Sequence, residues 1–299
     1  MRIAKPTVGL FAGCALLLSA SGAGAQDWPQ WRGPNRDAKA TGFKAPSAWP
    51  KELTQKWKVT LGDGVATPSL VGDRLYVFTL QKGDEILRCL DAATGKEQWQ
   101  EKYAAQGATG PAQSFAGSRS SPTVADGKVV TLGVRGVLSC YDAATGKKLW
   151  RKEDSKGLPR FFTSCSPIVV DGLVIAQIGG ESGGAIVAYD LASGDEKWKW
   201  TGDGTAYASP VQFTLDGAKT IVAETANNIV GIGVADGKLL WKTSFSVQGG
   251  RAYNACTPMV DGQTVLFSGG GRGTKAVKIE KKDDGFAAKE VWANKENSV

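Results

Sequence analysis

Asp142-Ala143-Ala144-Thr145-Gly146-Lys147-Lys148-Leu149-Trp150 is the stretch on which the reading of this chain turns. Its Asp and Thr can accept hydrogen bonds from free backbone N–H groups, its Gly can take a left-handed turn position, and a short β-prone run then ends in Trp. The same arrangement comes earlier as Asp91-Ala92-Ala93-Thr94-Gly95-Lys96 before Trp99, and later as Asp190-Leu191-Ala192-Ser193-Gly194 before Trp198. A weaker copy, from Gly233 through Gly237 to Trp241, keeps the turn glycine and loses the leading Asp. The copy near Trp292 is lengthened by the charged insert 281–285, and Trp57 stands alone ahead of the first. Successive tryptophans are 42, 51, 48, 43 and 51 residues apart, a spacing that belongs to repeat architectures.

A second signal opens each unit. Ser/Thr-Pro occurs at Thr67-Pro68, Ser121-Pro122, Ser166-Pro167, Ser209-Pro210 and Thr257-Pro258, each followed by a short apolar run and a Gly/Asp turn. Asp-Gly between two β-prone runs is a strong hairpin signal. Each unit therefore reads as four short antiparallel strands, the size of a propeller blade, which cannot bury both of its faces alone. The expected fold is an all-β propeller of four-stranded blades with about five blades present and little or no helix. A Trp repeated once per blade is suited to wedge between neighbours, burying roughly 150–250 Å² while its N–H finds an acceptor.

These residues carry a resemblance. The Asp-Ala-x-Thr-Gly-Lys-x-x-Trp ending and the Ser-Pro opening resemble the PQQ-like propeller repeat, found in quinoprotein dehydrogenases and in the non-catalytic outer-membrane assembly lipoprotein BamB. The resemblance runs from Trp28 to about Trp292. It implies a ring that usually closes with seven or eight blades, whereas this sequence stops at Val299. The expectation is an incomplete ring, an open arc from a truncated chain, with Trp57 marking an extra outer-type strand over 53–61.

Composition and targeting signals bound the function. Arg2 and Lys5, the apolar stretch 7–20 and Ala23-Gly24-Ala25 form a signal-peptide pattern over residues 1–25. A leader at 26–52 and the repeats at 53–299 follow. Export to the periplasm or beyond is expected; Ala12-Gly13-Cys14 leaves open a lipid anchor, and a membrane link is expected only through that anchor or through a partner. Without Arg2 and Lys5 the formal net charge falls from +7 to +5, and the remaining Lys and Arg are scattered among acids. A nucleic-acid binder would concentrate them.

Chemistry is narrowed further. His is absent, which excludes Ser-His-Asp triads, imidazole metal ligands and Cys-x-x-Cys-His haem attachment. The resemblance implies, for its quinone-using members, an adjacent Cys-Cys pair and a carboxylate-bound calcium ion. Cys89, Cys140, Cys165 and Cys256 are not adjacent, and they sit at like places in different units, too far apart for disulfides. Asp91, Asp142 and Asp190 recur once per blade, as a turn residue must and a catalytic residue need not. The same holds for Gly95, Gly146, Gly194 and Gly237. No cofactor and no catalytic residue are expected, and a protein or envelope component is the expected partner. A quinoprotein-type dehydrogenase or cofactor binder is the alternative. A carbohydrate-binding module would instead need exposed aromatic platforms. The variable segments entering the Ser/Thr-Pro strands contain Arg119, Arg160, Phe161, Tyr207, Arg251 and Tyr253, types enriched in interface hot spots, and these form the candidate partner-binding face.

Overall fold

The computed structural model describes residues 26–153, 155, 157–247 and 253–296, so residues 1–25, where a signal peptide is expected, and Arg251 lie outside the described residues. Five four-stranded antiparallel sheets succeed one another along the chain, each with its strands in sequence order. Blade 1 is β1 (Ser69–Val71), β2 (Arg74–Gln81), β3 (Asp84–Asp91) and β4 (Glu97–Ala104). Blade 2 is β5 (Thr123–Ala125), β6 (Lys128–Leu132), β7 (Leu138–Asp142) and β8 (Lys148–Lys152). Blade 3 is β9 (Ile168–Val170), β10 (Leu173–Ile178), β11 (Ala185–Asp190) and β12 (Glu196–Trp200). Blade 4 is β13 (Val211–Leu215), β14 (Ala218–Glu224), β15 (Asn228–Gly233) and β16 (Leu239–Ser244). Blade 5 is β17 (Met259–Asp261), β18 (Thr264–Gly269), β19 (Gly273–Lys282) and β20 (Gly285–Asn294). One short 3-10 helix, Gly110–Phe115, lies between blades 1 and 2.

Strand composition follows position. The second and third strands of blades 2 and 3 are largely covered on both faces, so β6 and β10 read as nearly unbroken apolar runs. The outer β4 has one face in solvent and alternates accordingly. The Asp-Gly turns work as expected: Asp126 and Gly127 have φ of 47° and 69°, the paired left-handed geometry that matches a hairpin's twist. Before each repeated Asp the ladder slips by one residue, between Cys89 and Leu90, Cys140 and Tyr141, and Ala188 and Tyr189. The Asp then closes the turn: Asp142 Oδ1 accepts from Thr145 N at 2.8 Å and from Thr145 Oγ1 at 2.7 Å, and Gly146 N donates to Asp142 O at 2.9 Å. Those donors hold the Asp142 carboxyl below its usual range.

The core lies between blades. Val130 and Leu138 of blade 2 pack with Val174 and Val187 of blade 3, and Ile175 and Ile186 of blade 3 pack with Ile221 and Val230 of blade 4. Blades 1 and 2, and blades 4 and 5, share equivalent clusters. At about 1.5–3 kcal/mol for each fully buried side chain, these interfaces are the main source of stability. The repeated indoles extend them. Trp150, Trp198 and Trp241 are buried and Trp99 is half-buried. Trp57, Trp150 and Trp198 donate Nε1–H to the carbonyls of Ala92, Leu191 and Val234 at 3.1, 3.0 and 2.8 Å. Trp99 has no such partner, because the matching carbonyl of Ala143 already accepts from Arg74 and Tyr76. Trp292, on the outer strand of blade 5, is 44% exposed.

The ring is unclosed: among the described residues no strand of blade 1 pairs with one of blade 5. The extra strand expected around Trp57 is not formed. Residues 51–62 carry no strand, since no neighbouring edge supplies a ladder, yet Trp57 still packs on Gly95 as the other indoles do on theirs.

The leader does more than precede the blades. Trp28 and Leu70 exchange backbone hydrogen bonds of 2.7 and 3.0 Å, Val124 N donates to Pro29 O at 2.8 Å, and Trp31 Nε1 donates to Thr257 Oγ1 at 3.1 Å. Arg36 is 2% exposed, and its guanidinium donates to the carbonyls of Ser166, Pro167 and Pro210. One segment thus touches the opening strand, or the residues leading into it, of all five blades. Burial pushes the Arg36 pKa down to about 9, so it remains charged at neutral pH.

Candidate functional site

Chain direction divides the loops between two faces. The Asp-Gly and Asp-x-x-Thr-Gly turns lie at one face, and the turns after each second strand, with the links between blades, lie at the other. The second face carries the variable segments. Arg119 sits there as a clamp, donating to the carbonyls of Phe161, Ala112 at 3.1 Å and Phe115 at 2.8 Å. Its donors serve the protein's own loops, which leaves little for a partner.

Phe161, Tyr207 and Tyr253 come together although they belong to three different inter-blade links. Their ring centroids are 6.0 Å (Phe161–Tyr207), 5.2 Å (Phe161–Tyr253) and 5.4 Å (Tyr207–Tyr253) apart, with the last pair edge to face. Backbone contacts fix the cluster: Phe161 N donates to the Tyr207 hydroxyl at 3.0 Å, and Tyr207 N donates to Asn254 O at 2.9 Å. The Tyr207 hydroxyl donates to Glu181 Oε1 at 2.7 Å, and the same oxygen accepts from Arg160 N at 3.1 Å. Burial, then the bond to Glu181, raises the Tyr207 pKa and keeps the phenol protonated. The Arg160 guanidinium lies 5.3 Å from the Phe161 centroid. Tyr253 is 48% exposed and forms the outer wall.

Beside this cluster is a cavity of about 230 Å³, bounded by Glu181, Tyr207, Asn227, Tyr253 and Asn254. Glu181, Asn227 and Asn254 escaped the sequence reading. For Glu181 a signal was present: it is the only acid in the glycine-rich turn Gly179-Gly180-Glu181-Ser182-Gly183-Gly184. Glu224 also escaped it. At the end of β14 it is wholly buried, and both carboxylate oxygens lack a partner. Burial pushes its pKa up to about 8 against the opposing pull of Arg272.

A quinone with a calcium ion, implied by the resemblance to quinoproteins, does not fit these residues. Cys89, Cys140, Cys165 and Cys256 are separate free thiols. Burial pushes the first three up to about 11, 12 and 12. Among the described residues no three Asp, Glu or Cys side chains converge on a point where a cation could sit. The inner ends of blades 3 and 4 already hold the Arg36 cation, which opposes a second one.

Comparison with known proteins agrees with this architecture. A family model described as "Outer membrane protein assembly factor BamB" matches residues 83–299. The quinohemoprotein alcohol dehydrogenase ADH IIB of Pseudomonas putida is 42% identical over 89 residues, covering 28% of this chain and 12% of that protein. The outer membrane protein assembly factor BamB of Xanthomonas campestris pv. campestris is 34% identical over 95 residues, 30% of this chain and 23% of that protein. This chain therefore aligns with less than a quarter of either relative's length. Among solved structures, BamB of Moraxella catarrhalis superposes with a TM-score of 0.53 at 16% identity, over 79% of this chain and 62% of that one. Quinohemoprotein alcohol dehydrogenase of Comamonas testosteroni gives 0.63 at 18% identity, over 89% of this chain and 52% of that one. Identities this low speak to the fold. The family match spans most of the chain, its blades have the matching topology, and the chain belongs to the PQQ-like β-propeller family described as outer membrane protein assembly factor BamB.

Proposed function

We propose that this chain is an exported, non-catalytic scaffold that binds a protein partner of the cell envelope through the face carrying Arg160, Phe161, Tyr207 and Tyr253. The observation that carries the reading is the joining of three aromatic rings from three separate inter-blade links into one cluster with an exposed edge. Rigid aromatic side chains beside an Arg, set on a stiff scaffold, are the composition of a protein-recognition hot spot. Family membership supports a protein partner, and the signal-peptide pattern of residues 1–25 supports export. The test is the double substitution Arg160→Ala with Tyr253→Ala. It should leave the unfolding transition in place and weaken capture of envelope proteins by at least about tenfold, the scale of one hot-spot residue. Unchanged capture would refute the assignment of this face.

The identity to quinohemoprotein dehydrogenases keeps a second reading testable. Reconstitution with PQQ and calcium, followed by dye reduction with primary alcohols, should give no turnover. Stoichiometric quinone binding with turnover would overturn the scaffold reading.

A further inference from the structure

The cavity beside the aromatic cluster has an uneven hydrogen-bonding capacity. Almost every donor on its wall is already committed inside the protein. The Tyr207 hydroxyl donates to Glu181, and the Thr205 hydroxyl donates to Gly179 O at 2.8 Å. Asn227 gives its backbone N–H and its Nδ2 to Asp203, each at 2.9 Å. Asn254 spends Nδ2 on the carbonyls of Thr225, Ala226 and Phe245 at 2.8, 3.3 and 3.2 Å.

The acceptors are left over. Asn254 is 2% exposed and its Oδ1 is buried without a donor. The amide cannot flip to cure this, because Nδ2 is fixed by three carbonyls. Glu181 uses only Oε1 in its bonds to Tyr207 and Arg160, so Oε2 faces no donor among the described residues. Asp203, held below the usual carboxylate range by its Asn227, Thr225 and Asn228 donors, adds a second negative charge behind Asn227. The rings of Tyr207 and Tyr253 complete the wall, with Val247 at the rim.

A site with an unpartnered amide oxygen, the Glu181 carboxylate on its wall, the Asp203 carboxylate behind it and aromatic faces suits a group that only donates. Among side chains that only donate, Trp offers a single neutral N–H, whereas the Lys ammonium and the Arg guanidinium carry three and five N–H donors together with the positive charge that two carboxylates favour. Aromatic faces add cation–π attraction. The flanking Arg160 and Arg119 do not fill the role: Arg119 is committed to three carbonyls, and Arg160 lies over Phe161, outside the cavity. We infer that this cavity is the specificity pocket of the face and accepts one basic side chain from an extended segment of the protein partner. This rests on the proposed function and names the chemistry that its partner must present. A space of about 230 Å³ holds one side chain and not a folded element.

Capped tripeptides are the probe: acetyl-Gly-Arg-Gly-amide, the lysine equivalent, and the citrulline equivalent, which keeps the arginine shape without the charge. They are titrated into the full chain carrying 3-fluorotyrosine, with the ring signals assigned through Tyr253→Phe and Tyr207→Phe. The arginine or lysine peptide should shift both signals saturably, and citrulline should bind at least about tenfold more weakly. Glu181→Gln should weaken the basic peptide by about tenfold, while its amide oxygen can still accept from Tyr207 and preserve the fold. Tyr253→Phe should retain binding and Tyr253→Ala should lose it. Equal binding of the citrulline peptide, no effect of Glu181→Gln, or the same saturable shifts with N-acetylglucosamine would each overturn the pocket assignment. Failure of the peptides alongside loss of envelope capture in the Arg160→Ala, Tyr253→Ala variant would refute the pocket and leave the face standing. Peptide binding with unchanged capture would do the reverse.

Discussion

Trp99 packs against Gly146 of the following blade so closely that a Cβ on the glycine would lie 2.6 Å from the indole Cε3. Trp57 meets Gly95, Trp150 meets Gly194 and Trp198 meets Gly237 in the same way, at 2.6 to 2.7 Å. The repeated Gly and Trp are thus one joint, its two halves in successive blades for Trp99, Trp150 and Trp198, and in blade 1 and the segment before it for Trp57.

Gly146 is held by two independent constraints, a φ of +78° and the indole. Gly127 has a φ of +69° and open space around it. Gly146→Ala should therefore cost about 2–4 kcal/mol in urea unfolding, and Gly127→Ala about 1 kcal/mol. Equal losses would show that the indole contact adds nothing.

The leader should behave as a brace. Arg36→Ala strips three buried carbonyls of their donor and should cost about 2–4 kcal/mol, with the exposed Lys39→Ala as a control near zero. Limited proteolysis should then cleave the leader of the Arg36 variant before any blade. An unchanged melting temperature would contradict this.

The repeat was legible because its signals are local. Asp142, Thr145 and Gly146 close their turn within five residues of chain, and the Asp-Gly hairpins need only two. The leader's role was not legible, since Arg36 meets partners 130 to 174 residues away and no spacing encodes that. Trp57 misled the reading by one step. Its residue type marked the joint correctly, but a strand also needs a neighbouring edge, which residues 51–62 lack. The aromatic residues of the face could be named from their segments, whereas the cavity could not, because it depends on how three links converge. Glu224 was recoverable: at the matching strand position the other four blades carry Phe78, Leu132, Gln177 and Ser268, none of them charged, so an acid there breaks the pattern.

Glu224 should make stability fall with rising pH. Its folded pKa is raised to about 8 by burial, so the folded state keeps a proton that the unfolded state releases near the ordinary carboxyl value of 4.5. The associated stability is complete below about pH 4.5 and is lost as the pH rises through about 8. Glu224→Gln should match the parent at pH 4 and melt higher at pH 9. A constant difference across that range would contradict the burial of an unpaired carboxyl.

The thiols should be inert. Cys89, Cys140 and Cys165 are buried with raised pKa values, and Cys256 is half-buried. At pH 8 the native chain should react with a thiol reagent at Cys256 at most, while unreduced, unfolded chain starting at Gln26 should show all four. Fewer thiols in the unfolded sample would reveal a disulfide.

Recognition at the face of Tyr253 can be read out most directly by site-specific photocrosslinking in intact cells. A benzophenone amino acid is placed at Tyr253 or at Lys96, which is exposed in a turn at the opposite face. Position 253 should give a discrete envelope-protein adduct and position 96 none. Adducts of equal yield from both positions, or from position 96 alone, would contradict recognition at this face.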